Sequence, residues 1–159
     1  MATVRRGGPV TQRIDNPALA PVGFLVGEWT MALSGAAFLS HPDEVVHNRV
    51  EFQPIEGDRL LAMRQLIDPA GPPAATWVFG KDENQPEYTV LYVDARGVSR
   101  VYSMTLDDGT WKLWRNDPEF AQRFEATISP DGRSMTGKWE KRSSGGDWEH
   151  DFNIEYTRD

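Results

Sequence analysis

The chain predicts an all-β fold, a single antiparallel sheet running up and down and closing into a barrel, and three observations carry that expectation. Eight turn-like clusters, from Glu56-Gly57-Asp58 to Ser143-Ser144-Gly145-Gly146, punctuate it at short and fairly even intervals. Between them nearly every segment alternates apolar with polar residues, the period of a half-buried strand. No helical pattern intervenes, and evenly spaced strands of this kind close into a barrel. A barrel is a container, so the pattern says more about the vessel than about its contents.

The elements follow in order. Residues 1 to 15 form a flexible leader ahead of a barrel domain over 16 to 159. A short helical or 3₁₀ plug covers Asn16 to Gly23, because Asn16 can cap it and Pro17 suits a first helical position. Ten strands are expected at about 25 to 33, 45 to 54, 58 to 67, 74 to 80, 87 to 94, 98 to 106, 110 to 116, 120 to 128, 133 to 142 and 147 to 157.

Loop lengths decide which side chains face inward. Asp94-Ala95-Arg96-Gly97 fits a three-residue hairpin loop closed by Gly97, which sets Asp94 opposite Val98 and turns Tyr88, Val90, Tyr92, Arg100, Tyr102 and Met104 to one face. On the last strand Trp148, His150, Phe152, Ile154 and Tyr156 alternate with polar neighbours and read as buried. Leu25 to Leu33 supply alternate inner residues around Trp29, Val46 to Phe52 match Leu61 to Ile67, and Phe120 to Ile128 face Met135, Gly137 and Trp139 across a four-residue Ser-Pro-Asp-Gly loop. Asp107-Asp108-Gly109 admits a two- or a three-residue loop, which leaves open whether Trp111 and Leu113, or Lys112 and Trp114, face in.

Composition excludes several functions. Without cysteine there is no disulfide, thiolate nucleophile or zinc-thiolate site. The net charge of −7 is uneven: residues 1 to 22 carry +2 and the remainder −9. An acidic body repels phosphate backbones, so nucleic acid is not an expected partner. No apolar run serves as a secretory signal or crosses a bilayer, and a soluble cytoplasmic protein is expected. Catalytic signatures such as the nucleophile elbow, the phosphate loop and the dinucleotide fingerprint are absent. His41-Pro42-Asp43-Glu44-Val45-Val46-His47 lacks helical metal-site spacing and reads as loop and surface.

The inner positions include polar groups that must be satisfied by one another, by water or by a ligand. The expected ligand contacts are Tyr92, Arg100, Tyr102, Trp139, His150 and Tyr156. Arg100 suits a ligand carboxylate, with an internal ion pair to Asp94 or a hydroxyl-lined polar cluster as the plainer alternative. His150 offers a polar contact, with a neutral core histidine as the plainer one. Ala36-Ala37-Phe38-Leu39 forms an apolar patch in a long loop, either a lid at the barrel mouth or packing under the rim. Any homodimer would use outer-face residues such as Leu91, Val93 and Val101.

The residues Phe24-Leu25-Val26-Gly27-Glu28-Trp29-Thr30 after a short plug resemble the Gly-x-Trp opening of the calycin superfamily, the lipocalin-like and fatty-acid-binding-like barrels. The run from Val98 to Arg115, with Trp148-Glu149-His150-Asp151-Phe152, resembles uncharacterised bacterial lipocalin-like proteins over roughly residues 22 to 158. That resemblance implies a calycin-like barrel and carries no activity with it. More distantly the chain resembles nitrobindin, a ten-stranded haem barrel whose iron is held by a histidine on the last strand, which implies haem at His150. The nitrobindin glycine-rich opening is only partly kept over Gly27 to Gly35. Tyr156 and Arg158 are similar to the carboxylate clamp of fatty-acid-binding proteins in reversed order, with a solvated terminus as the other reading of Arg158.

The first functional expectation is therefore binding of a small, largely apolar ligand, with an anionic end where Arg100 receives it. Haem binding through His150 is the second. A cofactor-free isomerase or cyclase using Arg100 and His150 is the third, and it requires both residues to reach one cavity.

Overall fold

A computed structural model describes residues 14–67 and 71–159. The expected leader falls outside these residues except for Ile14 and Asp15, as do Asp68, Pro69 and Ala70 of the second turn. A 3₁₀ helix, Pro17–Leu25, precedes ten strands: β1 Gly27–Ser34, β2 Val45–Ile55, β3 Leu60–Leu66, β4 Ala75–Lys81, β5 Tyr88–Asp94, β6 Ser99–Asp107, β7 Thr110–Asn116, β8 Phe120–Ile128, β9 Ser134–Ser143 and β10 Glu149–Arg158. Every strand pairs antiparallel with its chain neighbours, and β1 pairs with β10 to close a calycin-like barrel.

The helical plug seals one end. Asn16 caps it by accepting from the Ala18 amide at 3.1 Å, and Leu19, Val22 and Leu25 are fully buried beneath it. Leu25 thus belongs to the plug, and β1 begins two residues later than expected, at Gly27. The Tyr88 hydroxyl donates to the Ala18 carbonyl at 3.1 Å and ties the plug to β5. The Trp29 indole N–H donates to the Leu25 carbonyl at 2.8 Å.

Arg158 completes this end and is not a solvated terminus. Its guanidinium lies 4.4 Å from the centroid of the Trp29 ring. It donates to the Val26 carbonyl at 2.9 Å and also to the Phe24 carbonyl. A Cβ on Gly27, whose φ is +129°, would stand 2.9 Å from the same guanidinium. The positive φ favours glycine there, and a side chain would also press on the Arg158 guanidinium.

Above the plug, Trp29, Phe52, Phe79 and Trp111 are buried with ring centroids 6.3 to 6.4 Å apart, a floor of tilted and edge-on aromatic contacts. On β9, a Cβ at Gly137 would fall 2.4 Å from the Glu125 carbonyl oxygen and 2.8 Å from the Ala126 Cα. Only glycine lets β8 and β9 approach so closely.

The hairpins set the register. Asp94 and Val98 are joined by an N–H to carbonyl bond of 3.1 Å, and Gly97 donates back to Asp94 at 2.9 Å, as the three-residue loop requires. Asp107 pairs with Thr110 across a two-residue loop in which Asp108 and Gly109 have φ of 49° and 73°. That turn places Trp111 and Leu113 inside and Lys112 outside. At the Ser-Pro-Asp-Gly loop Ile128 pairs with Met135, two residues beyond the four-residue expectation, but the shift is even and the faces are kept.

Three residues expected to face inward do not. Ile67 lies past the end of β3 and is 72% exposed. On β10 the alternation holds from Tyr156 back to Phe152 and then breaks: Phe152 opposes Trp139, but His150 opposes Glu140, so Asp151 is an extra residue. This β-bulge reverses the facing of everything before it. His150 is exposed, and Trp148 lies outside with the guanidinium carbons of Arg123 and Arg142 at 4.1 and 4.8 Å from its ring centroid.

Candidate ligand cavity

Up-and-down topology puts the β1–β2, β5–β6, β7–β8 and β9–β10 loops at the end opposite the plug, and this end is open. Between it and the aromatic floor lies a cavity of about 410 Å³. A water molecule takes about 30 Å³ of liquid volume, so this is a lumen rather than a packing defect.

Its wall is mainly aromatic. Trp77 from β4 packs against Tyr92 at 4.5 Å, against Tyr102 at 5.2 Å and against Trp139 at 5.8 Å between ring centroids. Trp139 stacks on Phe124 at 5.2 Å. Tyr156, fully enclosed, stands 5.8 Å from Trp111, and burial raises its phenol pKa. The indole N–H groups of Trp77 and Trp111 are buried with no hydrogen-bond partner among the described residues.

Polar groups collect toward the open end. Tyr102 donates its hydroxyl proton to the Gln122 side-chain oxygen, and burial raises its pKa. Tyr92 donates to Asp94 at 2.8 Å. Burial, then the Asp94 carboxylate, push the Tyr92 phenol up to about 12. Arg96 pairs with Asp94 at 2.7 Å and, with the Tyr92 hydroxyl, holds that carboxyl well below the usual range. The alternative ion pair of Arg100 with Asp94 is not formed, because Arg96 takes that carboxylate.

Arg100 lies half-buried in the cavity wall, its guanidinium carbon 4.9 Å from the Phe120 ring centroid. Among the described residues no carboxylate stands within ion-pair distance of it, and no Asp or Glu lines the cavity. Arg115, paired in register with inward Gln122, carries Asp117 at 3.6 Å and the Phe120 carbonyl at 3.1 Å. Lys141, also opposite Gln122, faces Asp151 at 3.7 Å. The rim is thus a ring of cations in which Arg96, Arg115 and Lys141 are neutralised and Arg100 is left over.

Tyr92, Arg100, Tyr102, Trp139 and Tyr156 line this one cavity, and His150 does not. His150 borders a separate surface groove with Gly35, Ala36, Leu39 and His41. None of the three histidines lines the lumen. Sequence reasoning missed Arg115, Lys141 and Asp151 at the rim, because the bulge and the length of the Asp107-Asp108-Gly109 turn decide them. Trp77 was missed as well, although the alternation of Ala75, Trp77 and Phe79 along β4 carries the signal. Phe38, 70% exposed, hangs over the opening and meets the Phe152 ring edge-on at 6.2 Å.

Among the described residues no cluster of His, Asp or Glu could hold a metal ion, and no helix is long and apolar enough to cross a membrane. No protein-family model matches the chain, nor does any curated protein by sequence. Among solved structures it is similar to Rv2717c from M. tuberculosis, with a TM-score of 0.56 and 14% identity over 90% of this chain and 98% of that one. At that identity the likeness shows a shared barrel fold and nothing more.

Proposed function

We propose that the barrel binds a small, largely apolar molecule whose anionic end is received by Arg100, in contact with Tyr92, Tyr102, Trp139 and Tyr156. One observation carries this reading: an apolar cavity of about 410 Å³ opens past a half-buried arginine that has no carboxylate partner among the described residues. A guanidinium with no carboxylate partner among the described residues, set in a low-dielectric wall, favours a bound anion, and its planar fork suits a carboxylate. Concave apolar sites with a few convergent polar groups are the usual form of small-molecule sites. The cytoplasmic setting expected from composition belongs to the same reading.

The haem alternative finds no support. Its axial candidate, His150, is exposed and is not among the residues that line the lumen. The isomerase or cyclase alternative needs Arg100 and His150 around one substrate, yet they border different cavities.

Titration with 1-anilinonaphthalene-8-sulfonate, an apolar anion, tests the proposal. Saturable one-to-one enhancement is expected, weakened about tenfold by Arg100→Gln, in line with loss of a charge-assisted contact. A linear, unsaturable response would overturn it.

A further inference from the structure

The lumen is crossed by a contact between two aromatic rings from opposite walls. Trp77 belongs to β4 and Trp139 to β9, and in the closed barrel these strands have four others between them whichever way one counts. They are opposite walls. Yet the two indoles meet in the middle, with centroids 5.8 Å apart and planes inclined by only 33°. Tyr102 closes the side between them, at 5.2 Å from Trp77 and 5.8 Å from Trp139.

We propose that this pair is an intercalation slot, and that the ligand is a flat conjugated acid of two or three fused rings rather than an alkyl-chain acid. The inference rests on the proposed binding of an apolar anion and names the class of that anion. A planar guest between two indoles requires about 7 Å, twice the optimal carbon–carbon separation, so the slot opens by roughly 1 Å. Trp77 already contacts the Tyr92 ring on β5, and Trp139 contacts Phe124 on β8, so each indole is backed by a second ring. Aromatic rings outnumber aliphatic side chains along the wall, which rewards a π-face over a flexible chain. Arg100, on the strand that also carries Tyr102, then lies toward the mouth where the acid group emerges. The same arginine disfavours a cationic guest for this aromatic box.

The test compares anthracene-2-carboxylate with dodecanoate by calorimetry on the full chain. The aromatic acid is expected to bind at least about tenfold more tightly, with hypochromism of its absorption band. Trp139→Leu should remove that preference and leave dodecanoate within about twofold, while Trp139→Phe should retain most of it. Trp77→Leu provides a second variant if the first does not fold. Equal affinities, or tighter dodecanoate, would overturn the slot and leave the apolar-anion reading standing. Failure of both acids to bind would overturn both.

Discussion

Arg158 closes over Trp29, its guanidinium 4.4 Å from the ring centroid while its N–H groups serve the Val26 and Phe24 carbonyls. One residue from the last strand thereby fastens the plug, the first strand and the barrel seam. Arg158→Ala leaves buried plug carbonyls without donors and should cost about 2 to 3 kcal/mol. For a chain of this length that lowers the melting temperature by about 5 to 10 °C, measurable by circular dichroism. Arg158→Lys, which keeps the charge but loses the planar fork, should recover less than half of it.

Gly137→Ala tests the close approach of β8 and β9. Its Cβ would collide with the Glu125 carbonyl oxygen and with the Ala126 backbone, neither of which is a flexible side-chain end. A loss of about 3 kcal/mol or more in urea unfolding is expected. An unchanged midpoint would contradict this close approach of β8 and β9.

All four tyrosines titrate above the ordinary phenol value of 10.0, each with burial as the leading cause. Because the folded pKa is raised, the stability they contribute is intact below pH 10 and is lost as pH rises through the folded values, about 12 for Tyr92. Absorbance at the phenolate band should therefore show no component titrating at pH 10 in the native state. Phenolate should instead appear together with loss of near-ultraviolet circular dichroism.

His150→Ala should leave binding of 1-anilinonaphthalene-8-sulfonate within about twofold, because the side chain is outside the lumen. Adding salt should weaken binding to the parent chain more than to Arg100→Gln.

The contrast between Arg100 and His150 says what could be read from the sequence. Arg100 was placed in the lumen because Asp94-Ala95-Arg96-Gly97 dictates its loop by turn chemistry, and the register then follows by alternation. His150 was misplaced because a bulge at Asp151 inserts one residue with no glycine or proline to announce it. Trp111 depended on a turn that sequence left ambiguous and that positive φ at Asp108 resolves. Arg158 is a different case: its partners lie 132 and 134 residues away, and no local pattern encodes a contact made only when the barrel closes. The fold is thus written in short-range periodicity, whereas the rim is written in register.

Native mass spectrometry of the protein purified from its own host is the most direct test of the central claim. A carried ligand is expected at one per chain, on the order of 200 to 300 Da for a cavity packed to interior density, released on unfolding and lost in Arg100→Gln. A bare chain mass, in protein that also fails to take up 1-anilinonaphthalene-8-sulfonate, would contradict it.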